Sequence, residues 1–344
     1  MGLTTTPDLE NYLHSQGMEY ASVEPLNGGT ANFVWRLTLP SGETRVAKHA
    51  EPYIKNNPAF AFNVDRMSFE GNALALLPQT LSTTQLTPTA PSVRIPTLHH
   101  FDPDAHILIM DDAGLQNLKA WYPNTPASTI PAVGAALGTW LAQLHHRTRN
   151  LRNADNITAK NIYRYAYSNL PSAFAKYGLD DALAREIDEE FGAKLATDDV
   201  CVCHGDFWTG NILVNEGEDG STTLSVVDWE MTRRGTGATD VAQFAAEAYL
   251  LDYLCGGKGL TKAFLEAYVQ AAREYEWVNE EFVRRLVVHF GVHVAFWPTR
   301  VEWCDEKQTG ELVRLGREHL VSGRGADWEA VRQGPLAPVV VLLS

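Results

Sequence analysis

Cysteine, basic charge and long apolar runs are all scarce in this 344-residue chain, and each shortage removes a class of protein. Four cysteines, Cys201, Cys203, Cys255 and Cys304, are too few and too scattered to staple a disulfide framework. Cys201 and Cys203 alternate along one apolar run and read as buried free thiols. Nothing near them supplies the spaced second ligand pair that a zinc site with His204 would need. Only 28 Lys and Arg stand against 42 Asp and Glu, and the formal charge of −14 has the wrong sign for a nucleic-acid footprint. No stretch approaches the ~20 apolar residues of a membrane span. Met1 to Asn11 is polar where a secretory signal is apolar. The expectation is a soluble, cytoplasmic protein whose partner is neither nucleic acid nor membrane. His-Glu-x-x-His and Gly-x-Ser-x-Gly do not occur, so metalloprotease and α/β-hydrolase chemistry have no support. Gly256-Gly257-Lys258-Gly259 fails the P-loop template in spacing and in its missing Ser/Thr, and reads as a loop.

What is present is a long chain, 45% hydrophobic, with material for two lobes that each hold a core. The first hundred residues read mainly as strands: an alternating run Phe33 to Leu39, a turn at Ser41-Gly42-Glu43, and a further strand from Arg45. Asp65 to Leu77 has helical spacing and is expected to close at Pro78. Thr80 to Pro96, rich in Thr and Pro, reads as a loop. His106 to Met110 is a short buried strand followed by a polar hinge, Asp111 to Gly114. Helical patterns then dominate, over Ile130–His146, Ile162–Tyr177, Asp181–Leu195, Asp240–Leu254, Thr261–Tyr275 and Glu280–Trp297. Strands at Val200–Cys203, Ile212–Asn215 and Leu224–Val227 interrupt them. The expected class is α+β, with a small antiparallel β-rich lobe over residues 1–110, a larger mainly helical lobe over 111–344, and a ligand cleft between them.

The segment richest in chemistry is His204-Gly205-Asp206-Phe207-Trp208-Thr209-Gly210-Asn211, followed by Val226-Val227-Asp228-Trp229-Glu230. Its Asp-x-x-x-x-Asn spacing matches a loop used for phosphoryl transfer, where the aspartate takes the hydroxyl proton and the asparagine ligates Mg²⁺. A second aspartate at a strand end, Asp228, supplies a carboxylate between metal and triphosphate. Either piece alone could be a polar turn or a strand cap; in this order, each after an apolar strand, they read as a kinase site.

These motifs resemble the aminoglycoside phosphotransferase and choline kinase-like superfamily. The stretches Lys48 to Tyr53 and Asp65 to Glu70 resemble methylthioribose kinases, and Ala175 to Asp181 resembles fungal 4-hydroxytryptamine kinases. The resemblance covers roughly residues 20–305. It implies a bilobal protein-kinase-like fold and an ATP- and Mg²⁺-dependent transfer to the hydroxyl of a small molecule, with Asp206 catalytic and Asn211 and Asp228 holding the metal. It further implies that Gly28, Gly29, Thr30 and Asn32 cover the phosphates and that Lys48, oriented by Glu70, contacts them. Met110 and Asp112 would bind adenine through backbone groups, and His204 would brace the loop. Acceptor contacts would come from Trp208, Glu230, Arg233, Trp297, Arg300, Glu302 and Trp303. Asp240, near a helix start, reads as a cap.

The helix near Asp240 follows Asp228 within a dozen residues, leaving no room for an activation segment or an Ala-Pro-Glu motif, so a small acceptor is favoured over a peptide. The acceptor itself is left open among an amino alcohol, a hydroxylated indole amine, a thiosugar and an aminoglycoside. A nucleotide-binding pseudokinase or regulatory protein of the same fold is the alternative, and the joint presence of Lys48, Glu70, Asp206, Asn211 and Asp228 argues against it. Monomer and homodimer are equally compatible with the sequence.

Overall fold

The computed structural model describes residues 2–27, 29–81, 84–87, 89–152 and 155–343. The chain begins with helix α1 (Thr6–Ser15), started by a reciprocal cap in which Thr5 and Asp8 each accept the other's backbone N–H. Strands β1 (Ser22–Pro25), β2 (Phe33–Thr38) and β3 (Thr44–His49) follow, then a small hairpin of β4 (Tyr53–Ile54) and β5 (Asn57–Ala61) and helix α2 (Asp65–Thr80). After β6 (Thr84–Gln85) and β7 (Ser92–Arg94) come β8 (Leu98–Asp102) and β9 (Ile107–Asp111). Five strands make an antiparallel sheet in the order β1-β2-β3-β9-β8. The two-residue period of the strands sorts its faces. Trp35, Leu37 and Ala47 pack under Leu9 and Leu13 of α1, while Val34, Val46 and Lys48 point the other way, into a cavity.

The remainder is mainly helical: α3 (Leu118–Trp121), α4 (Ile130–Arg147), α5 (Ile157–Lys176), α6 (Ala182–Ile187), then α7 (Gly237–Leu254), α8 (Leu260–Ala272), α9 (Glu280–Phe296), α10 (Glu306–Gly325) and α11 (Trp328–Arg332). Between α6 and α7 lie β10 (Cys201–Cys203), β11 (Ile212–Glu216), β12 (Thr222–Val226) and β13 (Arg233–Gly235). Helix α7 is buried almost all round, with α8 and α9 against it. Helices α4 and α8 meet through Gly138, where a Cβ would lie 2.2 Å from the Phe264 carbonyl oxygen; only glycine permits that approach. Cys201 and Cys203 are buried free thiols. Leu336, Val339 and Val340 of the apolar C-terminal run are buried in short helical turns against the body. No helix among the described residues is long and apolar enough to cross a membrane.

Three local expectations are corrected. The Thr80 to Pro96 segment is not all loop: β7 pairs in parallel with β12, and β6 pairs with β7, so this stretch joins the sheet that carries β11 and β12. Its pairing partner lies 131 residues away, beyond any local signal. Helix α2 continues through Pro78 to Thr80. A proline near a helix end removes one backbone bond, and burial of Leu77 and Leu81 holds the last turn. The α1 helix, the β4–β5 hairpin and α10 were not foreseen.

Candidate active site

A cavity of about 720 Å³ lies between the five-stranded sheet and the helical remainder. Its charged centre is Lys48, brought in by β3. The Lys48 ammonium is 2.6 Å from Glu70 Oε2 of α2, makes an ion pair with Asp228, and stands 3.8 Å from Glu230. Burial works against the Lys48 charge, but Asp228, Glu70 and Glu230 outweigh it and hold its pKa above the ordinary lysine value. Burial likewise pushes the Asp228 carboxyl up, and Lys48 outweighs that too, holding it below its usual value. Asp228 has φ of +67°, a left-handed conformation uncommon for a side chain other than glycine, which bends the chain sharply at the end of β12. Arg66 closes the far side of the group, with Nε 3.5 Å from Glu230 Oε2 and bonded to Asn32 Oδ1 at 3.1 Å. Glu70, Asp228 and Glu230 lie close enough together to hold a cation, but Lys48 already stands among them.

The loop from β10 to β11 carries Asp206, and its shape is set from α7. Asp240 of α7 is not the helix cap; Thr236 is. Its carboxylate instead accepts the backbone N–H of His204 at 2.7 Å and of Gly205 at 3.1 Å. His204 Nε2 bonds the Val227 carbonyl at 3.0 Å, and its Nδ1 accepts the Asp206 N–H at 3.2 Å, which ties the loop to the strand end carrying Asp228. Burial pushes the His204 pKa down to about 4, so it serves as a neutral brace. Gly205 has φ of +86°, and a Cβ there would lie 2.0 Å from the Met231 carbonyl oxygen. The Asp206 carboxylate accepts Gln243 Nε2 at 2.8 Å and Asn211 Nδ2 at 2.9 Å. Burial first, and then the charge of Asp228, raise its pKa to about 7 against these two donors. Replacing Asp240 by Ala removes the acceptor for two backbone N–H groups. The expected result is a loss of at least ~2 kcal/mol of stability together with reduced turnover, read by denaturant unfolding and a rate assay.

Of the residues singled out from the sequence, Gly29, Thr30, Asn32, Lys48, Met110, Asp206, Asn211, Asp228, Glu230 and Trp297 line the cavity, with Glu70 directly behind Lys48. Gly28 lies outside the described residues. Asp112 is turned away: its carboxylate takes Arg36 at 2.5 Å and the Gly114 N–H at 2.9 Å, while Asp111 and Ala113 line the cavity in its place. Trp208 and Trp303 are also elsewhere, both against the Lys119 ammonium at 5.7 and 3.4 Å. Arg233 is buried beneath the Tyr163 ring, Arg300 is exposed and bonded to Ser172, and Glu302 is exposed.

Apart from Trp297, the opposite wall, built by α5, α7 and α9, was not read from the sequence. Ile162, Tyr163 and Ala166 face His289, Val292, His293 and Trp297, with Gln243 between them and Asp206. Tyr163 donates to Gln243 Oε1 at 2.9 Å and stacks on His289 with ring centroids 5.0 Å apart. His293 Nε2 bonds Glu247 at 2.7 Å. A signal for this wall does exist. Asp240, Gln243 and Glu247 form a polar stripe at helical spacing on an otherwise apolar helix, and His289 and His293 form another.

A lysine–glutamate pair over a braced aspartate loop, an asparagine five residues on and an aspartate at a neighbouring strand end, set between an antiparallel sheet and a helical body, define a phosphotransferase of kinase-like architecture. The chain belongs to the phosphotransferase enzyme family, which matches residues 22–281, and it is a small-molecule kinase. It is 26% identical over 317 residues to a 4-hydroxytryptamine kinase of Psilocybe cyanescens, covering 86% of each chain. By structure it is similar to the GDP complex of an aminoglycoside 2'-phosphotransferase-IIIa mutant (TM-score 0.51, 15% identity, 95% of this chain and 99% of that one). It is also similar to an amicoumacin kinase in complex with AMP-PNP, Ca²⁺ and Ami (TM-score 0.51, 13% identity, 91% and 93%).

Proposed function

We propose that this enzyme transfers the γ-phosphoryl group of ATP, with Mg²⁺, to the hydroxyl of a small acceptor whose body is flat and weakly polar, and that Asp206 accepts the hydroxyl proton. The observation that carries the proposal is the position of Asp206: held by Gln243 and Asn211, it faces the Lys48 and Asp228 group on one side and the α5–α9 wall on the other. Residues 1–110 form the nucleotide-binding lobe and 111–344 the catalytic lobe, hinged near 110–114, with β7 of the first built into the sheet of the second.

The donor set suits a hard divalent cation. Asn211 Nδ2 is committed to Asp206, which leaves its Oδ1 as a neutral oxygen ligand beside the Asp228 carboxylate. Bound there, Mg²⁺ would neutralise charge on the triphosphate. Lys48, kept charged and aimed by Glu70, binds phosphate oxygens; Thr30 and Asn32 cover them; Leu26, Val34, Val46, Met110 and Leu213 enclose the base. Asp206 and Gln243 orient the acceptor hydroxyl, and Asp206 takes its proton as the oxygen attacks.

The acceptor wall favours a ring-bearing alcohol over a polycation. Ile162, Ala166, Met231, Val292 and Trp297 are apolar, and burial holds the His289 imidazole well below its usual pKa, hence neutral. The Psilocybe relative is named for a hydroxylated indole amine, which has this shape. The direct test is ADP release from Mg²⁺·ATP across 4-hydroxytryptamine, methylthioribose, choline, ethanolamine, homoserine and an aminoglycoside. Stimulation by 4-hydroxytryptamine alone supports the reading; stimulation by the aminoglycoside alone overturns the acceptor class.

The base also fixes the pH dependence. Asp206 works deprotonated, so kcat/KM should rise with pH through about 7 and fall roughly tenfold per pH unit below it. The limb in kcat should lie lower, because a cation bound at Asp228 cancels one of the charges that raise Asp206. A flat profile from pH 5 to 8 would remove Asp206 from the proton transfer.

A further inference from the structure

Between the strand that carries Lys48 and the helix that carries Glu70, the chain detours through the β4–β5 hairpin. All five residues of β5 are exposed, yet Ile54, Phe60 and the following Phe62 line the cavity. Phe60 is 49% exposed, an aromatic ring held at the rim with half its surface in water. The turn of the hairpin is bonded to the loop that covers the phosphates: Lys55 N–H and Asn56 N–H donate to the Ala31 and Thr30 carbonyls, each at 3.1 Å.

Both ends of the hairpin converge on one side chain. The buried Arg66 guanidinium donates to Phe62 O at 2.7 Å, Asn63 O at 2.9 Å, Glu51 O at 2.9 Å and Tyr53 O at 3.4 Å. Its Nε bonds Asn32 Oδ1, Asn32 Nδ2 donates to Glu230 Oε2 at 2.6 Å, and the Phe62 ring packs on the guanidinium at 4.3 Å. A planar fork with five donors meets four carbonyls and the Asn32 amide oxygen at once; a lysine ammonium has only three donors. Hairpin, phosphate loop and Glu230 are thereby held as one unit.

We propose that this hairpin is an arm of the acceptor site, in which Phe60 contacts the apolar body of the bound acceptor and Arg66 is the positioning residue that locks arm, phosphate loop and Glu230 together. The inference rests on the kinase reading above. The base end of the cavity is already walled by Leu26, Val34, Val46, Met110 and Leu213, whereas Arg66 ties the arm to Glu230, which leads into Met231 on the acceptor side. A half-exposed ring on a two-stranded arm gains a partner when a flat acceptor enters beneath it.

The experiment measures KM for ATP and for 4-hydroxytryptamine, kcat, and the thermal midpoint, in wild type, Phe60→Ala, Phe60→Leu and Arg66→Lys. Phe60→Ala should raise the acceptor KM about 10-fold while the ATP KM and thermal midpoint stay at wild-type values; Phe60→Leu should recover most of the loss. Arg66→Lys should raise both KM values, since arm and phosphate loop lose their common anchor. An unchanged acceptor KM in Phe60→Ala, or a change in the ATP KM alone, overturns the proposal while the kinase reading stands. Preference of the wild type for ethanolamine, which has no ring, overturns it equally. Absence of ADP release across the whole panel sinks the kinase reading, and the arm with it.

Discussion

Asp206→Asn should fold and bind nucleotide like the wild type while turnover falls roughly 100- to 10,000-fold, the usual contribution of a positioned general base. The carboxylate has two donors on it, Gln243 Nε2 and Asn211 Nδ2, and burial and the neighbouring Asp228 raise its pKa to about 7. An asparagine keeps the volume and one acceptor oxygen. It presents an NH₂ to the other donor and has no basic lone pair for the hydroxyl proton. The loss should therefore appear in kcat and in kcat/KM together, with ATP affinity unchanged, as for an interaction made only in the transition state. Residual activity should no longer show the limb near pH 7. Wild-type turnover in this variant would remove Asp206 from the mechanism, and weakened ATP binding would recast it as a ligand of the nucleotide complex.

Lys48→Met should be the most destabilising of these substitutions, by about 3–5 kcal/mol at neutral pH. The methionine fills the same space, but Glu70, with no exposed surface, and the neighbouring Asp228 and Glu230 lose the ammonium among them. Burial already pushes Glu70 up even with Lys48 beside it, so without Lys48 its folded-state pKa rises further above the unfolded value. A carboxyl with a raised folded pKa costs stability above that pKa and stops costing it below the unfolded one. The deficit of Lys48→Met should therefore shrink on acidification, as Glu70 takes up a proton. Adding Glu70→Leu should recover stability at pH 7 without recovering ATP affinity. Urea unfolding at pH 5.5 and 7.5 reads both effects. A single variant as stable as wild type at both would mean that the group is solvated rather than buried.

The residues that proved legible share one property: they occur in short contiguous segments whose spacing is dictated by the local chain. Asp206 and Asn211 belong to one loop, Asp228 follows one strand, and Lys48 stands one pleat from Val46. The Asp112 carboxylate lies off the cavity wall because Arg36 of β2, two strands away in the sheet, claims it. Trp208, Arg233, Arg300 and Glu302 were chosen by position relative to motifs, and helix rotation and packing sent them elsewhere. The local sequence assigned Arg66 no role of its own; its importance depends on carbonyls at positions 51 to 63 and on Glu230, 164 residues away.

From its sequence alone this protein had its sheet-then-helix order and its class of phosphoryl-transfer chemistry, because strand alternation and loop spacing are properties of neighbours along the chain. The tertiary structure decided how α5, α7 and α9 and the β4–β5 hairpin enclose the cavity. Tyr163, Gln243 and His293 come from three helices, and what each polar group on an apolar helix costs or contributes is set by the partner it meets on burial. That partner is chosen by how α5, α7 and α9 pack, which no local pattern encodes.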